Sequence, residues 1–393
     1  MKSGREEKQG LSVPVGIREG SSYFPALESL RGVAILLVLV FHADGIVRGD
    51  SLTGTRVSPM AAYVHAGHTG VTLFFVLSAF LLSRPYWSQA AGGRKVSARQ
   101  FLRRRALRIL PLYWFVVIAS SVIYAVREGG QLAAGIPYLF FLNSFSGVTV
   151  PMFPFSDVWW SLATEAQFYL LLPIFGLLSL YRMGRHAIIA GGLLYAAGYA
   201  CTAWTGFDIR LAEDLTGRLP AFAIGAAASW LYLRHGAALK RKFHASARLR
   251  NGGADLILLA VLAAQGFLLR EVVLRGFNNA EATWHGWHVA EALLWTAVVL
   301  LVLLTPLRSG ILLSRSWLEA VGRLSYSLYL LHWPILFYGL YFLSVPIPDV
   351  FRGWSSTSSA AVGACLVVAL ALSMFTYWAI ERPFLRAKSR VPI

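Results

Sequence analysis

Ten apolar runs, each long enough to cross a bilayer as a helix, alternate with short polar segments along the chain. They fall near 27–46, 67–86, 109–126, 157–181, 187–205, 216–234, 254–270, 289–307, 322–343 and 358–380. A helix needs about 20 mostly apolar residues to span the hydrocarbon core. The runs are continuous and lack the two-residue alternation of membrane barrel strands. The pattern predicts an all-α integral membrane protein, a bundle of about ten transmembrane helices. A further apolar piece at 132–145 (LAAGIPYLFFLNSF) is short and contains Pro137. It is read as a re-entrant or interfacial segment, not a span.

Composition agrees. Of the 393 residues, 56% are hydrophobic and 14% charged, where soluble proteins carry about 25% charged residues. Mean hydropathy is +0.58. A net charge of +17 in a soluble chain would suggest nucleic acid. Here the positive-inside rule and anionic lipid explain it, and no nucleic-acid partner is expected. With the N-terminus inside, 28 of the 36 lysines and arginines fall in the inside segments 1–31, 84–108, 182–185, 234–250, 308–323 and 382–390. That asymmetry predicts both termini in the cytoplasm.

Residues 1–22 are polar and lack the apolar core of a signal peptide, so they are expected to form a disordered cytoplasmic tail. Residues 23–386 read as a single transmembrane domain and 387–393 as a second short tail. Cys201 and Cys365 lie in apolar runs and give neither a disulfide framework nor metal-ligand spacing.

The candidate chemistry sits inside the runs. In YFPALESLRGVAILLVLVFHAD (23–44), Arg31 and His42 are eleven residues apart. They therefore share one helix face, roughly 16 Å apart along the axis. Arg31 falls at one membrane surface and His42 near mid-depth, where an ionisable side chain is costly and functional by default. A neutral His42 imidazole suits a general base acting on a hydroxyl; the bland alternative is a histidine bonded to a neighbouring helix. Asp44 follows, either orienting a neighbour or sitting at the interface.

GVTLFFVLSAFLLSRPYW (70–87) places Ser78 mid-helix, as a nucleophile or, more simply, a packing serine. FLRRRALRILPLYW (101–114) sets Arg104, Arg105 and Arg108 on one basic face at the inner surface. Guanidiniums suit phosphate, and lipid headgroups are the plainer partner. DVWWSLATEAQFYLLLPI (157–174) lines up Ser161, Glu165 and Tyr169 at four-residue spacing. Glu165 reaches a depth close to that of His42, and a buried carboxylate there needs a partner, His42 or an arginine. GRLSYSLYLLHWPI (322–335) brings Ser325, Tyr329 and a second mid-depth histidine, His332. His332 reads as an acid/base, a donor to an acyl carbonyl, or a packing residue. Glu381 and Pro383 end the last run. The outer segment TWHGWHVAE (283–291) is rich in Trp and His, which suits interfacial anchoring or stacking on a sugar; the His285/His288 spacing is weak for metal, and no metal centre is expected.

Together these motifs resemble the acyltransferase type 3 family of integral membrane O-acyltransferases. The resemblance is carried by Arg31-Gly32-Val33-Ala34 with His42, Phe74-Phe75-Val76-Leu77-Ser78 with Phe80-Leu81, and Arg105, Arg108, Pro111 and Tyr113. It continues in Ser161-Leu162, Glu165, Phe168 and Tyr169, then Ser325 to Tyr329 with His332 and Pro334, and Glu381 with Pro383. Ala79 departs from the glycine usual in the family.

The resemblance implies a multi-pass enzyme of the bacterial inner membrane. It would transfer an acyl group, most often acetyl, from acyl-CoA to a hydroxyl of a glycan, glycolipid or glycosylated small molecule. With that activity, the residues read as His42, Glu165 and His332 for catalysis, and as the basic face of Arg104, Arg105 and Arg108, together with Arg31, for the CoA phosphates. Ser78, Ser161, Tyr169 and Tyr329 are assigned to substrate. On this reading Glu165 orients His42, and His332 or Tyr329 donates to the oxyanion. A proton-coupled transporter of a glycan or lipid precursor is the alternative that mid-membrane His and Glu also permit. The internal repeats and paired broken helices typical of transporters are not evident.

Overall fold

A computed structural model describes residues 24–48, 57–144, 156, 158–205, 214–275, 282–313, 315–344, 346, 350 and 353–391. The tail expected at 1–22 and the side chain of His285 lie outside the described residues.

The described residues contain ten helices of 20 residues or more, in the order of the ten apolar runs. They are α1 (Pro25–Arg48), α2 (Thr69–Ala90), α3 (Ala98–Glu128), α4 (Trp160–Ser179), α5 (Arg182–Thr205), α6 (Leu215–Ala245), α7 (Ala254–Arg275), α8 (Ala282–Leu304), α9 (Ser316–Ser344) and α10 (Ser356–Thr376). A short amphipathic helix, α11 (Arg382–Ser389), follows a π-turn at Tyr377–Glu381. Seven of the ten, all but α5, α6 and α9, are long and apolar enough over a full span to cross a bilayer. The bundle's outer faces are apolar, with Val126, Leu194, Leu256 and Phe375 exposed to what is lipid in the membrane. The protein is a multi-pass helical membrane protein.

Several helices outrun the apolar runs that predict them. α3 begins at Ala98, so the arginines at 103–105 and 108 belong to the spanning helix itself. Arginine is a good helix former, and nothing between Ala98 and Pro111 breaks the pattern. Ser97 caps its start through Gln100 N, and Gly129, with φ of 65°, ends it. Asp214 caps α6 through Thr216 N (2.7 Å) and Gly217 N (3.3 Å).

The 132–144 segment is no span. It comprises two 3₁₀ turns around the four-residue helix Ile136–Leu139 and folds back on α3, where Trp114 donates to the Leu139 carbonyl (3.0 Å).

The site depends on how α1 meets α9. A Cβ at Gly32 would collide with the Leu318 carbonyl, and one at Gly322 with the Glu28 carbonyl. The two backbones therefore touch, as small residues permit in membranes. Arg31 pairs with Ser325 and His42 with His332, so both sequences ascend together and the helices run parallel. α2 packs on α1 and α6, α6 on α8, and α10 on α9.

Candidate active site

The two mid-depth histidines are in contact. His332 Nε2 lies 3.2 Å from His42 Nδ1. His42 Nδ1 is also 2.9 Å from the Val38 carbonyl, and His332 Nδ1 is 2.9 Å from the Leu328 carbonyl. A carbonyl only accepts, so each Nδ1 carries its proton. His332 Nε2 is then a bare acceptor facing the His42 Nδ1–H. This fixes His42 in the tautomer whose Nε2 lone pair is free, the form a general base needs. His332 is fully buried and His42 half-buried.

Beside the pair, a narrow cleft lies between α1, α2, α4 and α9. Arg31, Ser78, Ser161, Glu165, Ser325 and Tyr329 line it, with Phe74 and Phe75 as apolar wall. Tyr329 bridges cleft and dyad, its ring 5.8 Å from that of His332.

The carboxylate is placed differently from the sequence expectation. Ser78 donates to Glu165, and Glu165 is also hydrogen-bonded to Tyr169. The hydrogen bonds of His42 go to Val38 and His332. Glu165 therefore organises the cleft and not the imidazole. Neither expected oxyanion donor has a spare hydrogen here. His332 spends its N–H on Leu328, and Tyr329 donates to the Val158 carbonyl (2.6 Å) while meeting Ser161 at 2.6 Å. Among the described residues Ser161 meets only Val158 and Tyr329, whereas Ser78 donates to the Glu165 carboxylate, a group able to take its proton.

A residue missed by sequence reasoning lies next to the base. The Trp333 ring is 5.0 Å from the His42 ring, and its buried indole Nε1–H has no hydrogen-bond partner among the described residues. The available signal was adjacency: Trp333 follows His332 directly.

At one end of the cleft the basic residues gather. Arg31 reaches Ser325 (3.4 Å) and Glu28 (3.8 Å). Arg108 pairs with Glu381 at 3.5 Å, and Glu381 accepts from Ser327. Arg105 faces Tyr169, 6.0 Å from its ring, and feels Glu165. Arg104 donates to the Val391 carbonyl at 2.5 Å.

Two further polar groups are structural. Asp44 takes Arg48 (2.8 Å), His65 (2.6 Å) and the Trp354 indole (2.7 Å), locking the end of α1 away from the arginines. Glu291, fully buried on α8, accepts from Thr72 (2.9 Å) and lies 3.8 Å from His68 and 3.4 Å from His288. Arg218 donates to His288 at 2.8 Å. This network cross-links α2, α6 and α8. Phe41 packs between it and the dyad, 5.4 Å from His68 and 5.0 Å from His42.

An imidazole with its Nε2 lone pair free, near a polar-lined cleft with cations gathered at one end, is an arrangement that suits group transfer. The comparisons say which kind. The chain belongs to the acyltransferase type 3 family: the family's acyltransferase domain matches residues 24–378. It is a membrane acyltransferase, with an acyl donor and an acceptor as substrates.

Acyltransferase MdmB of Streptomyces mycarofaciens is 28% identical over 389 residues, covering 93% of this chain and 92% of its own. BcsY of Komagataeibacter xylinus, which bears the name of a membrane-bound transacylase, is 24% identical over 93% of this chain and 84% of its own. The peptidoglycan O-acetyltransferase OatA of Listeria monocytogenes is 24% identical over 85% of this chain, which spans only 53% of OatA. No solved structure matches.

Proposed function

We propose that this enzyme is an O-acyltransferase that moves an acyl group, most often acetyl, from acyl-CoA to a hydroxyl of a glycan or glycosylated acceptor. The observation that carries the mechanism is the His332–His42 contact, which leaves His42 Nε2 free to take a proton. The glycan class is supported by the name of OatA, and the CoA donor by the guanidiniums at the basic end. That end faces the cytoplasm on this reading, by the charge asymmetry.

The CoA phosphates rest on Arg31, Arg104, Arg105 and Arg108, and the thin pantetheine arm enters the cleft past Ser325 and Ser78. The thioester reaches Tyr329 and the dyad, where the acceptor hydroxyl arrives from the opposite side. His42 Nε2 takes the hydroxyl proton as the oxygen attacks the thioester carbonyl carbon. Trp333 Nε1–H donates to the oxyanion that forms. Collapse of the tetrahedral intermediate breaks the C–S bond, and the proton passes from His42 to the departing CoA thiolate. His332 orients His42 and shares the imidazolium charge. Glu165 and Ser78 position the donor. Direct transfer through His42 Nε2 requires no acyl-serine.

The test is turnover of radiolabelled acetyl-CoA by purified protein in nanodiscs, with and without glycan acceptors, together with trapping of labelled protein. Acceptor-dependent loss of the thioester supports the reading. Label retained on the protein without acceptor would replace direct transfer by a covalent route.

A further inference from the structure

Five cations meet at the basic end, one more than sequence reasoning placed there. The fifth is Lys388 on α11, partly buried and within electrostatic reach of Arg105, Arg108, Arg104 and Arg31. It belongs to the stretch from 387 that reads as a free tail in sequence. In the structure that stretch is anchored: Arg104 holds the Val391 carbonyl at 2.5 Å, and Val391 is buried.

The carboxylates in reach of the cluster are Glu28 beside Arg31, Glu381 beside Arg108, and Glu165 near Arg105. Five positive charges against three negative leave a surplus of two. Like charges in a partly desolvated place repel far more strongly than in water. A lysine has the flexible stem to reach away into solvent and avoid this. Here it lies within electrostatic reach of four guanidiniums, on a segment that Arg104 tethers through the Val391 carbonyl. Moreover, the Nε atoms of Arg31 and Arg105 are buried without a hydrogen-bond partner among the described residues. A phosphate, with several acceptor oxygens and up to two negative charges, meets both needs at once.

We propose that Lys388 is a phosphate ligand of this site, so that α11 closes over a phosphate ester cradled by α3. The identity of that ester rests on the acyl-CoA reading: it is a phosphate of the donor's nucleotide end. An anionic lipid headgroup offers the same chemistry, and the test separates the two.

The experiment measures CoA binding by calorimetry to the full chain in nanodiscs of zwitterionic lipid, then in nanodiscs containing phosphatidylglycerol. Wild type is set beside Lys388→Ala, Lys388→Arg and Arg105→Ala, each checked for an unchanged melting temperature. In zwitterionic lipid, Lys388→Ala should weaken CoA about ten-fold, the loss of one charge-assisted hydrogen bond. It should also flatten the salt dependence, and Lys388→Arg should recover most of the affinity. Unchanged CoA affinity in Lys388→Ala, with affinity lost in Arg105→Ala, overturns the role of Lys388 and leaves the donor reading standing. A Lys388→Ala defect that appears only with phosphatidylglycerol assigns the residue to lipid and also overturns the proposal. If wild type binds no CoA in either lipid, the donor reading itself falls.

Discussion

His332 Nε2 stands 3.2 Å from His42 Nδ1, and the carbonyl four residues before each histidine fixes where its proton sits. Two imidazoles thereby become unequal: buried His332 is a clamp and half-buried His42 a base. His332→Ala removes the clamp but leaves the Val38 carbonyl to hold His42 in the same tautomer. We expect a fall in kcat of about 10–100-fold, with acyl-CoA binding kept. His332→Gln, whose side-chain carbonyl can accept from His42 Nδ1–H, should recover part of the rate. Rates of both variants equal to wild type would show that the contact only fills space.

Trp333 gives a second expectation. Trp333→Phe keeps an aromatic ring against His42 and deletes the N–H. If the indole serves the oxyanion, kcat falls about 100-fold or more while KM for the donor is unchanged. A rise in KM alone would assign the ring to binding.

Glu291 is a stability residue on this account. It is buried on α8 among Thr72, His68 and His288. Breaking a buried polar pair by removing one partner costs about 3–5 kcal/mol. Glu291→Ala should therefore lower the melting temperature in detergent clearly, with Glu291→Gln, which keeps an acceptor for Thr72, losing less. A thermally normal Glu291→Ala protein without turnover would instead place this network in the catalytic path.

Much of this arrangement was legible in the chain. Ionisable residues are few in apolar runs, so Arg31, His42, Glu165 and His332 stood out, and helical spacing correctly put Ser161, Glu165 and Tyr169 on one face. What spacing along single helices does not carry is which helices touch. Glu165 and His42 were matched by depth, yet the close crossing at Gly32 and Gly322 brings α9 to α1 and gives His42 a histidine neighbour. Glu291 was hidden for another reason. Residues 289–307 read as a span with 283–291 at its outer end, and nothing there shows that Glu291 meets Thr72 of α2. Lys388 was invisible because a short charged end carries no sign of what it packs against.

The most direct measurement is acetyl-CoA binding and acceptor-dependent turnover by the purified protein, wild type beside His42→Ala and the double variant Arg105→Ala/Arg108→Ala. The account predicts that wild type binds and consumes the thioester. His42→Ala should bind it as tightly but turn over at least 1,000-fold more slowly, on the order of the loss of a general base, and the arginine variant should lose binding. Full turnover by a folded His42→Ala protein would contradict the account and pass the role of base to another group, such as the Glu165 carboxylate that lines the cleft.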